Sequence, residues 1–201
     1  MNVRLDGANP EHRLILDLVR PGSSILDLGC GDGDLLSLLV LEKKARAQGL
    51  ELDEQAIYKC VARGLSVFHG DIDTGLSEYG DRSFDYVIFD QSLQQVRHPG
   101  PALTEALRVG REVIVAFPNF AYWPARTRMF FSGRTPVTRA LPYEWHDSPN
   151  LHFLGIADFQ DYCRDHRISI RDQVYLRNAG ITRVLPNLLA EIGIFLIAEG
   201  R

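Results

Sequence analysis

Three closely spaced glycines, placed between a predicted strand and a predicted helix, most constrain how this chain of 201 residues can fold. The apolar run at residues 25–28 is followed by Gly29, Gly31 and Gly33 and then by a leucine-rich helical pattern. Glycine adopts backbone conformations that a Cβ atom would forbid, and it lets the backbone come close to a small ligand. The segment therefore predicts a strand, a ligand-binding loop and a helix.

The spacing of these glycines separates two kinds of nucleotide-binding loop. Dinucleotide-binding folds use the pattern G-x-G-x-x-G, and Asp34 stands here where the third glycine of that pattern belongs. Asp32 and Asp34 would both repel a pyrophosphate, so the loop favours a positively charged ligand and disfavours an NAD-dependent oxidoreductase. Asp27, at the strand end, is placed to receive a cation or a group rich in hydrogen-bond donors.

The order acid-x-Gly-x-Gly-x-Gly, from Asp27 to Gly33, resembles motif I of class I S-adenosylmethionine (SAM) methyltransferases. The ligand of those proteins carries a sulfonium and an ammonium group, which agrees with the acidic loop. The alternative interpretation is a plain glycine turn between a strand and a helix.

Acidic residues also end the second and third predicted strands. Glu51 lies roughly 20 residues beyond the glycine loop, where a carboxylate accepts hydrogen bonds from both hydroxyls of a ribose. Asp71 can accept from an adenine amino group while the neighbouring Ile72 stacks against the ring. The alternatives are a solvated helix N-terminus for Glu51 and a turn-forming role for Asp71, and Asp53 is better explained as a helix N-cap.

Strands alternate with helices along the chain, which predicts an α/β protein with a doubly wound parallel sheet. The resemblance narrows this to the Rossmann-like class I SAM methyltransferase fold, with a seven-stranded, mostly parallel sheet, an antiparallel last strand at 192–198 and helices on both faces. We expect a single domain over residues 1–201, with an insertion at about 118–154 after the fifth strand. The carboxyl ends of the strands then bring together the predicted cofactor-binding residues Asp27, Gly29, Cys30, Gly31, Gly33, Glu51, Leu52, Asp71, Ile72 and Asp90.

The segment after the fourth predicted strand lacks a familiar proton-transfer group. Many small-molecule methyltransferases place a histidine pair where this chain has Gln94 and Gln95, and glutamine cannot transfer a proton at neutral pH. The candidates for acid–base chemistry are then Asp90, Tyr143 and His146. Asp90 serves equally well as the cap of a helix that begins at Gln91.

The segment 118–154 is too long for a plain connection, and it holds both tryptophans and five of the ten prolines. Aromatic and arginine side chains dominate the energetics of protein interfaces. The segment therefore either covers an acceptor pocket or forms a protein-binding surface. Its two histidines, His146 and His152, have no third ligand nearby, so we expect no metal site.

Composition argues against several other classes of protein. The net charge of −4 gives no electrostatic basis for binding nucleic acid or an acidic membrane. No run approaches the ~20 apolar residues that cross a bilayer, and the segment after Met1 lacks the apolar core of a signal peptide. The three cysteines form no Cys-x-x-Cys pair. We therefore expect a soluble, cytoplasmic protein with reduced thiols and with no nucleic-acid, membrane or metal partner.

Beyond the general SAM-binding pattern, nearly the full chain resembles the methionine biosynthesis protein MetW family. The segments that carry the resemblance are 21–33, 70–73, 83–88 and 92–99 and, most specifically, Phe117-Pro118-Asn119-Phe120, Pro142-Tyr143-Glu144-Trp145 and 185–191. The resemblance implies SAM or S-adenosylhomocysteine (SAH) as the ligand. It also implies a role in methionine synthesis beside homoserine O-acyltransferase as a protein partner.

Two functions remain open from the sequence. The chain is a SAM- or SAH-binding partner that modulates the acyltransferase, or it is a SAM-dependent methyltransferase for an unidentified small molecule. Methyl transfer needs chiefly alignment of the acceptor with the methyl group, so a missing base does not exclude an enzyme. Acyl transfer by the chain itself is not expected, because the sequence has no Gly-x-Ser-x-Gly elbow.

Overall fold

A computed structural model describes residues 9–178 and 180–200. The segment after Met1, for which the sequence predicts no signal peptide, lies almost wholly outside these residues. In the part of the chain that is described, no helix combines the length and the apolar character needed to cross a bilayer.

Strands and helices alternate through most of the described chain. The strands are β1 (Ser24–Leu28), β2 (Arg46–Glu51), β3 (Ser66–His69), β4 (Phe84–Asp90), β5 (Gly110–Pro118), β6 (Ile168–Arg177), β7 (Gly180–Ile181) and β8 (Ile192–Glu199). The α-helices are α1 (Pro10–Leu18), α2 (Asp34–Lys43), α3 (Glu54–Ala62), α4 (Pro99–Val109), α5 (Trp123–Ser132), α6 (Ile156–Asp165) and α7 (Pro186–Leu189).

All of these strands join one sheet in the order β3-β2-β1-β4-β5-β8-β6-β7. The five strands from β3 to β5 in this order run parallel to one another, and β8 pairs antiparallel with both β5 and β6. The predicted α/β fold with an antiparallel last strand is therefore confirmed.

The sheet has eight strands instead of the seven that were predicted. The additional strand, β7, is two residues long and pairs only with Leu176 and Arg177 at the end of β6. Asn178, with φ of 52°, begins the reversal of the chain between the two strands. Two residues are too few to produce the alternating pattern by which strands are recognised in a sequence.

The core lies on both faces of the sheet, as alternate residues of β5 show. Val113, Val115 and Phe117 join one buried cluster, against which α4 and α6 pack. Ile114 and Ala116 face the other way and join a second cluster with α1 and α2. A parallel strand buried on both faces is a near-continuous apolar run, which is how β5 appears in the sequence.

The segment 118–154 lies over the carboxyl ends of β4 and β5. Its first half contains helix α5, and no helix or strand occurs between Gly133 and Leu154. It is attached to the rim of the sheet through backbone hydrogen bonds, since the amides of Leu151 and His152 both donate to the carbonyl of Gln94. The insertion is therefore in direct contact with the segment that leaves β4.

Candidate functional site

The glycine loop connects β1 to α2, as the sequence predicts. All three glycines have a positive φ. At Gly29 a Cβ atom would lie 2.8 Å from the Cβ of Ser92, so a larger residue would displace the turn after β4. At Gly31, where φ is 52°, nothing lies within 4 Å of the position of a Cβ atom. The backbone of Gly31 therefore borders open space beside the strand ends.

Glu51 connects this loop to the end of β2. Its carboxylate accepts hydrogen bonds from the backbone amides of Gly31 at 2.8 Å, Leu52 at 2.7 Å and Asp53 at 2.9 Å. The first contact brings Glu51 to the glycine loop, as predicted. The other two show that it also stabilises the turn before α3. Each carboxylate oxygen has further acceptor capacity, so these bonds leave room for a ribose hydroxyl.

The two acids in the loop have surface partners. Asp32 forms an ion pair with Lys59 at 2.8 Å, and Asp34 forms one with Arg63 at 2.6 Å. These pairs are exposed to solvent, and the α3 cations offset the charge that the sequence suggested for the loop. Any preference for a cationic ligand must therefore come from acids elsewhere in the site.

Asp27 provides such an acid, at the end of β1. It is only 1% exposed, and its Oδ1 has no hydrogen-bond partner in the described residues. Burial raises the pKa of Asp27 well above its ordinary value, and the nearby charges of Asp90 and Glu51 raise it further. An ionised carboxylate is costly to bury without a partner, so a cation or a proton would relieve this residue.

Asp90 ends β4 beside Asp27, and one of its oxygens is likewise unpaired. Its Oδ2 lies 3.0 Å from His12 Nε2, while Oδ1 is buried without a hydrogen-bond partner in residues 9–178 and 180–200. The alternative role of Asp90, as the cap of a helix from Gln91, is wrong. A short 3-10 turn over Leu93–Gln95 follows instead, because Gln91 takes a left-handed conformation with φ of 57°.

Helix α1 contributes two residues that the sequence analysis missed, Glu11 and His12. Glu11 is 2% exposed, and its Oε1 accepts a hydrogen bond of 2.6 Å from Gln91 Nε2. Burial raises the pKa of Glu11 well above its ordinary value, and the charge of Asp90 raises it further. A signal was available, since Glu11 precedes the buried Ile15 by four residues and so shares its face of the helix.

The glutamine pair has a structural role in this turn. The side-chain amides of Gln94 and Gln95 both donate to the carbonyl of Gln91, at 2.7 and 2.9 Å. Ser92 attaches the same turn to the end of β1, because its hydroxyl donates to the carbonyl of Leu28 at 2.6 Å. The glutamines therefore stabilise the backbone at the two positions where many small-molecule methyltransferases have histidines that can transfer a proton.

Asp71 and Ile72 lie beside the glycine loop, after β3. Asp71 Oδ1 accepts from the amide of Asp73 at 2.9 Å, which is the turn-forming alternative for this residue. Ile72 Cδ1 lies 3.8 Å from where a Cβ atom of Gly29 would be. Both residues border the site, and their contacts with an adenine ring stay a prediction.

Cys30 and Leu52 complete the predicted binding set. The side chain of Cys30 packs against Gly49 of β2, and its sulfur lies 3.9 Å from the carbonyl oxygen of Gly31. Burial raises the pKa of the Cys30 thiol, so this side chain stays protonated. Leu52 is largely exposed at the end of β2. We therefore expect Cys30 to contribute through its backbone.

Of the acid–base candidates in the insertion, only Tyr143 lies at the rim of the sheet. Tyr143 borders a cavity of about 310 Å³ together with Gln91. His146 is exposed, and its Nδ1 lies 3.7 Å from Glu144 Oε2. In the described residues, no group of three His, Cys, Asp or Glu side chains is arranged to hold a metal ion.

Comparisons with known proteins agree with this geometry. The model of the family "Methionine biosynthesis protein MetW" matches residues 9–197. The chain is 35% identical over 176 residues to the bifunctional methionine biosynthesis protein MetXA/MetW of Rhodopirellula baltica. That match covers 83% of this chain and 28% of the relative. The chain spans about a third of the length of the first curated relatives that it matches.

Solved structures show the same fold. The S-adenosylmethionine dependent methyltransferase from Mesorhizobium loti matches with a TM-score of 0.70 at 16% identity, covering 96% of this chain and 99% of its own. A chain of the complex between the Haloferax volcanii Trm112 methyltransferase activator and a methyltransferase matches with a TM-score of 0.68 at 18% identity, covering 94% and 90%.

At these identities the structural likeness concerns the fold alone, which is the Rossmann-like fold of SAM methyltransferases. The family match identifies the family, which a likeness of fold cannot do, because it extends over nearly all of the described residues. The chain therefore belongs to the methionine biosynthesis protein MetW family.

Proposed function

We propose that this chain binds SAM or SAH in the cytoplasm and thereby supports or regulates a homoserine O-acyltransferase. The main support for this ligand is a pair of buried carboxylate oxygens, Asp27 Oδ1 and Asp90 Oδ1, that have no hydrogen-bond partner among residues 9–178 and 180–200. Both belong to strand ends beside the open face of the glycine loop. SAM carries a sulfonium and an ammonium group, and SAH carries the ammonium group. Either ligand could therefore place a positively charged group beside these two carboxylates.

The other predicted residues fit the uncharged parts of such a ligand. Glu51 would hold the ribose hydroxyls beside Leu52, and Asp71 with Ile72 would meet the adenine. The backbone of the loop, from Gly29 through Cys30 and Gly31 to Gly33, would border the amino-acid end. When bound, SAM would supply a transferable methyl group on its sulfonium. The protein would supply the acidic, partly enclosed surroundings that favour a cation.

The proposed partner rests on the relative from Rhodopirellula baltica, whose name joins MetXA and MetW in one bifunctional protein. We propose that its MetXA part is the homoserine O-acyltransferase that the family resemblance implies. Two functions joined in one chain work close together. We propose that this chain, which matches 28% of that relative, likewise works in contact with an acyltransferase.

An exposed aromatic patch on the insertion provides a surface for that partner. We define it as Met129, Phe130 and Phe131 of α5 together with Trp145. Phe130, Phe131 and Trp145 are each about 80% exposed. Apolar side chains gathered on a surface mark interaction sites, and tryptophan is enriched among residues that dominate binding energy. Arg128 and Arg134 border a neighbouring cavity with Trp145 and supply the cations that such interfaces favour.

Replacing Trp145 by alanine should weaken binding to the acyltransferase at least tenfold, since interface tryptophans often contribute about 2 kcal/mol or more. Binding is measured by sedimentation with the purified acyltransferase, and homoserine acylation is followed in parallel with and without SAH. Tyr58→Ala, on α3, is the matched control because it removes an equally exposed aromatic ring outside the patch. A complex that Trp145→Ala leaves unchanged would overturn the assignment of the surface, and no complex at all would overturn the partnership.

Replacing Asp27 by asparagine should stabilise the free protein while it weakens SAM binding at least tenfold. The folded-state pKa of Asp27 is raised, so its contribution to stability is present at low pH and is lost as the pH rises through that pKa. The amide cannot ionise, so the gain should appear at neutral pH and vanish in acid. A gain of about 1 kcal/mol would raise Tm by about 2–4 °C in a chain of this size.

Asp32→Asn is the control for this experiment, because it removes an exposed carboxylate of the same loop whose partner is Lys59. Surface pairs of this kind contribute about 0–1 kcal/mol, so neither Tm nor SAM affinity should change much. Thermal unfolding and equilibrium dialysis with SAM provide the two measurements. An Asp27→Asn protein that loses stability and keeps its full affinity for SAM would contradict the proposed role of Asp27.

A second candidate function, methyl transfer to a small molecule, is favoured by one observation. His12 and Asp90 lie 3.0 Å apart at the edge of the site, and histidine is the side chain that most often acts as a general base in enzymes. This pair would replace the missing histidines after β4 as the general base.

Labelled methyl groups distinguish the two functions. The protein is incubated with methyl-labelled SAM and a deproteinised metabolite extract, and the label is followed into new compounds. Under the partner proposal we expect no transfer. Transfer that falls at least a hundredfold in His12→Gln, with SAM affinity unchanged, would instead establish a methyltransferase, since general bases contribute about 10²–10⁴-fold.

A further inference from the structure

A cavity beside the proposed SAM site has polar groups that the proposed function leaves unused. It measures about 310 Å³ and lies between the strand ends and the insertion, bordered by Gln91, Pro118, Tyr143 and Ile192. Ligand pockets range from about 300 to 1,000 Å³, so this cavity is at the lower end of that range. Its size fits a small metabolite and not a second nucleotide.

Gln94 borders this cavity and a neighbouring one, and its side chain has an unpaired acceptor. The residue is 3% exposed, and its Nε2 donates to the carbonyl of Gln91. Its Oε1 is buried and accepts no hydrogen bond from any described residue. A buried carbonyl without a hydrogen bond destabilises the folded protein, and a hydrogen-bond donor on a ligand would remove this penalty. Gln94 therefore favours a ligand with N–H or O–H groups.

Glu191 adds a carboxylate to the same wall. It is 5% exposed, and its Oε1 accepts from the amide of Asn178 at 3.3 Å and from the hydroxyl of Tyr122 at 3.5 Å. In the described part of the chain Oε2 receives no hydrogen bond, so one oxygen of a buried acid is left for a ligand. An ammonium group carries the charge and the three donors that Glu191 and Gln94 can accept.

Arg139, on the insertion, brings the opposite charge to this cavity. Arg139 is exposed, and no carboxylate in residues 9–178 or 180–200 forms an ion pair with it. The planar guanidinium group binds a carboxylate through two parallel hydrogen bonds. One small cavity thus offers an acid and an amide for an ammonium group and an arginine for a carboxylate.

We propose that this cavity is a second ligand site, which binds a small zwitterionic α-amino acid with a polar side chain. The remaining polar wall includes Tyr143 and Asn150, which would face the side chain of that ligand. Binding at this site involves none of the residues assigned to the ribose or the adenine. It stands independently of the acyltransferase partnership and of methyl transfer.

Calorimetric titration of the full chain with L-serine, L-threonine, L-homoserine and L-asparagine tests the site, both with and without saturating SAH. The tightest ligand is then compared with its decarboxylated amine and with its deaminated acid. Wild-type protein should bind the amino acid at least tenfold more tightly than either analogue, because each analogue loses a charge-assisted pair. Equal binding of the analogues, or no saturable binding of any of the four amino acids, would overturn the proposal.

Arg139→Gln identifies the carboxylate contact. It should weaken the amino acid at least tenfold, leave the decarboxylated amine unchanged and leave SAH affinity unchanged. Arg134→Gln is the matched control, since Arg134 is an exposed arginine of the same insertion that borders other cavities and not this one. If both arginine variants bind the amino acid like wild type, the site is not at this cavity. If wild-type protein binds the amino acid but not SAH, the result would count against the SAM proposal and not against this one.

Discussion

The rest of the site depends on one unfavourable placement, the burial of Asp27 in the middle of a parallel sheet. Its strand lies between β2 and β4, where Asp27 is in register with Gly49 on one side and Ile88 on the other. No cation of residues 9–178 or 180–200 forms an ion pair with this carboxyl group, and burial raises its pKa. Folding tolerates such a group where another molecule can offset the charge. The nearby acids Asp90 and Glu11 continue this cluster of carboxyl groups toward α1.

Gln94 connects the buried acids at the strand ends to the insertion. Its side chain stabilises the turn after β4, and its carbonyl accepts two amides from the insertion. The insertion in turn carries both Arg139 of the second cavity and the aromatic patch. Two hydrogen bonds in series thus connect the turn at Gln91 to the insertion. The side chain of Gln94 bonds to Gln91, and the backbone carbonyl of Gln94 bonds to Leu151. A ligand that changes this turn could act through them on the segment proposed to bind the acyltransferase. Allosteric coupling requires two states of such a connecting element, and the turn after β4 is the element we expect to have them.

Much of the fold could be predicted from local patterns. The glycine loop, the continuous apolar run of β5 and the acid at the end of β2 each have a short-range signature, and all three occur where they were predicted. The two-residue β7 has no such signature. The three-dimensional charge balance was also beyond the sequence, because Asp32 and Asp34 meet cations from α3 almost 30 positions away.

The site residues that follow a strand could be predicted from the sequence. The site residues of helix α1, which packs against the sheet from a distant part of the chain, were missed. Glu51 reaches the loop because parallel strands end at one edge of a sheet. Glu11 and His12 reach Asp90 and Gln91 only because α1 packs against the second core cluster, through Ile15 and Leu16. An acid in the first turn of a helix normally lies at the surface and interacts favourably with the helix dipole. That common role explains the presence of Glu11 in the sequence without any binding site.

Proton release on binding tests most directly whether these buried acids exist to receive a cation. SAM and SAH are titrated into the protein by calorimetry in several buffers of different ionisation enthalpy, between about pH 5 and 8, which yields the number of protons released. Because the pKa values of Asp27 and Glu11 are raised in the free protein, a bound cation should expel protons, and SAM should expel more than SAH. Binding of SAM with no proton release throughout this range, or with proton uptake, would contradict the assignment.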